Sequence, residues 1–221
     1  MKQRLRHIWP RYTVLPLLAM LALNTVTFTG TKFLLDGRTM LDLTTPLDLA
    51  IPLVPFFVLI YCLAFPQWVI GYTVIAREDE DTCYRVLGGE IIAKLMCLVL
   101  FLTVPMTMQR PEVPQGGFWN FWLRFVYWID SPTNLFPSIH CLESWLVFRG
   151  ALRLKKPPRW YKWAMLPLSL AIFASTLLVK QHVIADVLAG ILVAELGQLL
   201  AKPLRADRLL AAANRRFCKV K

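Results

Sequence analysis

The sequence holds little of what an ordinary soluble domain requires. Charged residues make up only 18% of its 221 residues against 57% hydrophobic ones, so an apolar core could not be clothed in polar surface. Histidine occurs three times, which leaves few candidates for acid–base or metal chemistry. The five cysteines (Cys62, Cys83, Cys97, Cys141, Cys218) are odd in number, scattered and without a Cys-x-x-Cys pair. That argues against a disulfide framework and a zinc site, and they read as small buried hydrophobes. Acidic residues number 14 against 25 basic ones, a net charge of +11. No nucleic-acid-binding motif accompanies that charge, so no nucleic-acid partner is expected. There is no internal repeat, which counts against a transporter built from inverted halves. No small-residue cleavage site follows the first apolar run, which ends Thr25-Val26-Thr27-Phe28-Thr29. An uncleaved first span is therefore expected.

What the chain has instead is long apolar runs, and roughly 18 or more such residues cross a bilayer core of about 30 Å. The pattern predicts an all-α polytopic bundle with six transmembrane helices, at about 12–30, 50–76, 87–109, 138–154, 162–179 and 182–203. Pro52, Pro55 and Pro66 predict a late start or a kink in the second. Glu143 and Arg149 make the fourth the least obvious by hydropathy. One membrane domain over 1–221 is expected, ending in a basic tail from about 204 that lies on an anionic leaflet. Of the 25 lysines and arginines, 19 fall on one side of this topology and 5 on the other, with Lys94 inside the third span. The positive-inside rule then places both termini in the cytoplasm of an integral membrane protein, with the plasma membrane as the expected location.

That orientation brings distant polar residues to one outer face: Arg110 after span three, Ser138 and His140 at the start of span four, Lys180, His182 and Asp186 at the start of span six. The connection between Arg110 and Ser138 carries Phe118, Trp119, Phe121, Trp122, Phe125, Tyr127 and Trp128. It reads equally as an interfacial helix bordering a lipid entry route and as an aromatic belt anchoring a loop. His182 and Asp186 are four apart, one helical turn, so the carboxylate can hold the imidazole in one tautomer; structural pairing is the competing reading. Pro137 suits a first helical turn, and the amides beyond it with the Ser138 hydroxyl could cradle an anion, or simply cap a helix beside an interfacial histidine. Arg110 and Lys180 offer donors to phosphate oxygens, or anchor the chain at the interface. Two histidines and Asp186 fall short of a persuasive metal set, and no metal or other cofactor is expected. Glu90 and Lys94, four apart, predict an intrahelical ion pair, and Glu143, one turn after His140, is a candidate to tune that histidine.

Together these residues resemble the type 2 phosphatidic acid phosphatase superfamily, including its inositol phosphorylceramide synthase branch, over about residues 45–203. Pro137-Ser138-Ile139-His140 matches its Pro-Ser-x-His motif, His182 to Asp186 its His-x-x-x-Asp, and Arg110-Pro111 the end of its first motif. Two cation positions depart from the pattern: Thr103 stands where the first motif has Lys, and Thr176 where the third has Arg. Lys180 is the candidate substitute. The resemblance implies His182 as nucleophile forming a phosphohistidine, Asp186 orienting it, and His140 as proton donor to the leaving oxygen. Arg110, Lys180 and Ser138 would bind the phosphoryl oxygens, with no metal required. The implied activity is hydrolysis of a lipid phosphate monoester or diphosphate, phosphatidic acid-like or isoprenyl. Transfer of the phosphoryl group to a lipid or sugar hydroxyl is the alternative, and a non-catalytic lipid-binding protein the reading from another class.

Overall fold

The computed structural model describes residues 10–35 and 37–219. The basic residues Lys2, Arg4 and Arg6 that contribute to the orientation argument, and His7, lie outside the described residues. The chain is all-helical: α1 (Arg11–Leu34), α2 (Pro46–Ala50), α3 (Pro55–Glu78), α4 (Glu80–Thr103), α5 (Phe118–Ile129), α6 (Ile139–Ala151), α7 (Arg159–Leu178), α8 (Ile184–Ala201) and α9 (Ala206–Lys219). Five of these, α1, α3, α4, α7 and α8, are long and apolar enough to cross a membrane. The sixth expected span is α6, which has only 13 residues. It rises about 20 Å, short of the hydrocarbon thickness. The count of six therefore stands at five by length, and the reason lies in packing. Helix α6 sits among α3, α4, α7 and α8 and buries most of its residues, so it meets neighbouring helices where a full span would meet lipid.

Local chemistry sets the helix ends. The Asp79 carboxylate accepts the Thr82 amide at 2.7 Å and starts α4 a full turn and more before its apolar run. Pro105 ends it, because the residue before proline is pushed out of the helical region, and Val104 has φ −130° and ψ 66°. Beyond it the chain is extended: Met106 forms an isolated parallel bridge with Leu41, the Thr107 amide donating to the Leu41 carbonyl at 2.9 Å. Arg110 therefore sits on an extended segment well past the end of span three. In α3 the start is late, at Pro55, and a turn at Leu63 interrupts the helix ahead of Pro66, as proline chemistry predicts.

The bundle interior holds charges, and their pairing differs from expectation. Lys94 is fully buried and reaches across to α6, 2.5 Å from Glu143 Oε1, while donating to Asn24 Oδ1 of α1 at 2.7 Å. The Tyr72 hydroxyl donates to the other Glu143 oxygen. The cross-helix partners satisfy Lys94 and both Glu143 oxygens together, which an i,i+4 pair with Glu90 would not. Glu90 itself is buried with neither carboxylate oxygen hydrogen-bonded among the described residues. Glu143 is thus engaged by Lys94 and Tyr72 and forms no hydrogen bond or ion pair with His140 among the described residues. Glu195 accepts from Trp145 Nε1 at 2.7 Å and pairs with Arg149 Nε at 2.7 Å.

Helices α6 and α8 touch through Gly190, where a Cβ would lie 2.6 Å from the Ser138 carbonyl oxygen, a backbone atom that cannot swing aside. Gly190→Ala is accordingly expected to destabilise the protein by about 1–3 kcal/mol and to displace the start of α6. Thermal unfolding in detergent checks this, and an unchanged Tm would contradict the close approach.

Candidate active site

The site begins with the turn that carries α7 into α8. Helix α7 ends at Leu178, Lys180 takes a left-handed φ of 52°, and the Gln181 and His182 amides both donate back to the Thr176 carbonyl at 2.9 and 3.2 Å. His182 thus lies two residues before α8, not within it. The His182–Asp186 contact forms nonetheless, because Asp186 is in the first turn of α8. Its Oδ2 lies 3.2 Å from His182 Nδ1 and accepts the Val183 amide at 3.1 Å. Asp186 Oδ1 is buried without a hydrogen-bond partner among the described residues. A carboxylate on Nδ1 leaves Nε2 as the reactive nitrogen.

His140 enters on the first turn of α6. Ser138 caps that helix, its hydroxyl accepting the Cys141 amide at 3.3 Å, and its own amide donates to the Asp186 carbonyl at 3.0 Å. The Ser138 side chain is therefore committed to structure, fully buried, and lines neither of the cavities described below. What it does is lock the start of α6 to the start of α8, which sets the two histidines facing. Their ring centroids are 6.1 Å apart. His140 stacks on Tyr61 at 4.2 Å, and Trp68 and Phe65 complete an aromatic surround. Its Nε2 is buried and has no hydrogen-bond partner among the described residues.

Arg110 approaches from the extended segment after α4. It donates through one terminal nitrogen to the Asp130 carbonyl and through the other to Gln181 Oε1, and lies over the Tyr127 ring with the guanidinium carbon 4.6 Å from the centroid. Burial draws the guanidinium below its ordinary pKa, with Asp130 and Tyr127 opposing that, and it remains cationic. The Tyr127 phenol, pushed up to about 12 by burial against the pull of Arg110, keeps its proton and donates it to the Val179 carbonyl at 2.8 Å. Lys180 points its ammonium at two backbone carbonyls, Asp48 at 2.7 Å and Ile51 at 2.5 Å. Burial lowers its pKa and the Asp48 charge partly restores it. An ammonium has three hydrogens, so one donor stays free.

Two cavities meet at His182. One, of about 290 Å³, is walled by Arg110, Lys180 and His182 with Asp48 and Met108. The other, of about 280 Å³, holds His140 and His182 among Phe28, Phe65, Trp68 and Leu135. His182 and His140 thus share one cavity, and His182 shares the other with both candidate cations. Gln181 lines the second cavity and bonds Arg110 of the first: Arg110 has only donors, so it takes the Gln181 oxygen, and Nε2 is left buried and, among the described residues, unpartnered beside the histidine cavity. Asn134 Oδ1 is a second atom there with no partner among the described residues. Thr103 and Thr176, at the two altered cation positions, turn inward on their own helices, bonding the Val99 and Phe173 carbonyls at 2.8 Å each.

Three contributors were given no role by the sequence. Asp48 accepts the Ile184 amide at 2.8 Å and so pins the start of α8, while its other oxygen takes the Thr45 amide and hydroxyl. Thr45-Pro46-Leu47-Asp48 does carry a capping-box spacing that could have flagged it. Tyr61, which stacks on His140 and donates to Asp130 at 3.0 Å, carries no such signal, and neither does Gln181.

A family model described as the PAP2 superfamily matches residues 90–208, more than half of the chain, a range that takes in Arg110, Pro137 to His140 and His182 to Asp186. No curated protein and no solved structure matches the sequence. The chain belongs to the PAP2 superfamily, whose members are phosphatases or related phosphotransferases.

The Asp48 bonds also make a pH prediction. Burial raises its pKa, but the Thr45 hydroxyl, the Ile184 and Thr45 amides and the Lys180 charge outweigh burial, and the net value is lowered. A lowered folded-state pKa contributes stability that is present above the unfolded value of about 3.9 and is lost as pH falls through the folded one. Asp48→Asn should therefore lower Tm at neutral pH, with the gap to wild type closing below about pH 4. A gap independent of pH would contradict the assignment.

Proposed function

We propose that this PAP2-superfamily member cleaves a lipid phosphate ester through a phosphohistidine on His182. The observation that carries the reading is the position of His182: its Nδ1 is held by Asp186, and it walls both a cationic cavity and the cavity that contains His140. The phosphoryl group lies between the rings, its equatorial oxygens toward Arg110 and Lys180, and the ester oxygen toward His140. The His182 Nε2 lone pair forms the P–N bond as the P–O ester bond breaks, and the leaving alkoxide takes the proton of the His140 imidazolium. Neutral His140 then takes a proton from water, which attacks phosphorus as the P–N bond breaks, and inorganic phosphate leaves. Positioning and electrostatic stabilisation carry such transfers, and the side chains here provide both.

A lipid substrate is supported by the five membrane-length helices and by the aromatic and aliphatic lining of the His140 cavity. Helix α5 adds to this, its Phe118, Phe121 and Trp128 side chains exposed and its Leu123 buried against the bundle. With the orientation inferred from charge bias, the site opens at the extracytoplasmic face of the plasma membrane, in a single membrane domain. Lys180 takes over phosphate binding from the positions now held by Thr103 and Thr176.

One observation favours the transfer reading as well. Gln181 Nε2 and Asn134 Oδ1 are a buried donor and a buried acceptor, both unpartnered among the described residues, beside the leaving-group cavity. An acceptor alcohol could satisfy them before attacking in place of water.

Phosphate release from phosphatidic acid in mixed micelles with EDTA present tests the proposal. His182→Ala should abolish release, and His140→Ala should lower it by about a hundredfold or more. Undiminished release by His182→Ala would sink the mechanism. Adding a long-chain alcohol separates the outcomes, since phosphotransfer would appear as an alkyl phosphate formed at the expense of free phosphate. No turnover of either kind by the folded protein would leave the non-catalytic lipid-binding reading standing.

A further inference from the structure

The bundle end away from His182 holds the largest cavity described, about 490 Å³, where α4, α8, α9 and the turn after α6 come together. Its walls carry five basic residues, Arg85, Arg153, Lys202, Arg205 and Arg208, against a single carboxylate, Asp207. Of the five, only Arg85 has a carboxylate within salt-bridge distance among the described residues, Asp81 at 2.8 Å. The other four come from three places in the chain, are exposed, and have no salt-bridge partner among the described residues, so an anion entering the cavity meets several free cations at once. The framework that gathers them is tight. The position of a Cβ on Gly88 lies 3.2 Å from Ala206 Cβ, holding the start of α9 on α4, and Gln198 Nε2 donates to the Val86 carbonyl at 3.0 Å, holding α8 on α4. Arg205 occupies a left-handed φ of 52°, a conformation disfavoured for a branched or long side chain, while its carbonyl accepts the Leu209 amide at 3.0 Å. The turn is thus specified by its contacts, and its arginine faces the cavity.

We propose that this cavity binds the phosphate headgroup of an anionic phospholipid, at a site separate from the His140–His182 centre and about 27 Å from it along α8, by the rise of an 18-residue helix. Arginine suits phosphate oxygens through paired N–H donors. The lipid source, against a free phosphate, is argued from the apolar residues that accompany the cations: Leu199 lines the cavity and is 67% exposed, and Leu204 and Leu209 on the adjoining turn and helix are 56% and 68% exposed. A headgroup among the arginines would lay its acyl chains along those leucines. The proposal is independent of the chemistry assigned to His182.

Binding of dioctanoyl phosphatidylglycerol to the full-length protein in neutral detergent tests this, with dioctanoyl phosphatidylcholine and inorganic pyrophosphate as comparisons. R153Q/R208Q should weaken phosphatidylglycerol binding by about tenfold, and R153K/R208K by much less. R215Q/R216Q removes the same charge from exposed positions on α9 outside the cavity and should change binding by less than about twofold. Equal losses in R153Q/R208Q and R215Q/R216Q would mean diffuse attraction and overturn the site, as would no loss in either. Pyrophosphate binding as tightly as the lipid and displacing it would overturn the lipid assignment in favour of a soluble phosphate compound.

Discussion

The site depends on how the chain is held between Val179 and Asp186. Three separate elements grip that turn: the Thr176 carbonyl from α7, the Ser138 amide from the start of α6, and the Asp48 carboxylate from the short helix α2. None of the three needs to touch substrate. Each removes a freedom that the histidines would otherwise have, and preorganisation of this kind is what lets fixed dipoles and charges act on a transferring phosphoryl group. Gly190 is the steric counterpart of these bonds, since the Ser138–Asp186 link forms only where α8 lets the α6 backbone come close.

The same turn fixes where the cations lie. Lys180 precedes His182 by two residues, and its left-handed backbone sends the ammonium to the Asp48 and Ile51 carbonyls, beside the imidazole. Arg110 arrives on a different, extended segment and is oriented by Gln181, the residue between Lys180 and His182. The two cations and His182, the proposed nucleophile, are therefore linked through three consecutive residues. With threonine at positions 103 and 176, the positive charge beside His182 comes from this turn and from Arg110.

How much of this was legible in the sequence follows the range of the interactions. Approximate helix positions were, because apolar runs and the Pro137-Ser138 helix start are local signals, whereas the Asp79 cap and Pro105, which set α4 at Glu80–Thr103 in place of the expected 87–109, went unused. The gathering of Arg110, His140 and His182 was also legible, since it needs only topology and motif order. The span count was not, because hydropathy cannot show that α6 is walled by other helices and need not be long. Arg110 was placed at a helix exit, and Pro105 moved it onto an extended segment. The Glu90–Lys94 pair failed for a similar reason: spacing sees neighbours on one helix, while Lys94 found Glu143 and Asn24 on two others. Ser138 was assigned to phosphate, and the structure commits its hydroxyl to the helix cap. Tyr61 and Gln181 contribute only through tertiary contacts, which no local pattern announces.

The central claim is covalent, that phosphorus passes through His182. Rapid quenching of the enzyme with a lipid phosphate labelled in its phosphoryl group measures this directly. The account predicts a label on the protein that is labile to acid, stable to alkali, and located on the peptide containing His182. A labelled product formed at full rate with no protein-bound label at any quench time, or a label on another residue, would contradict it.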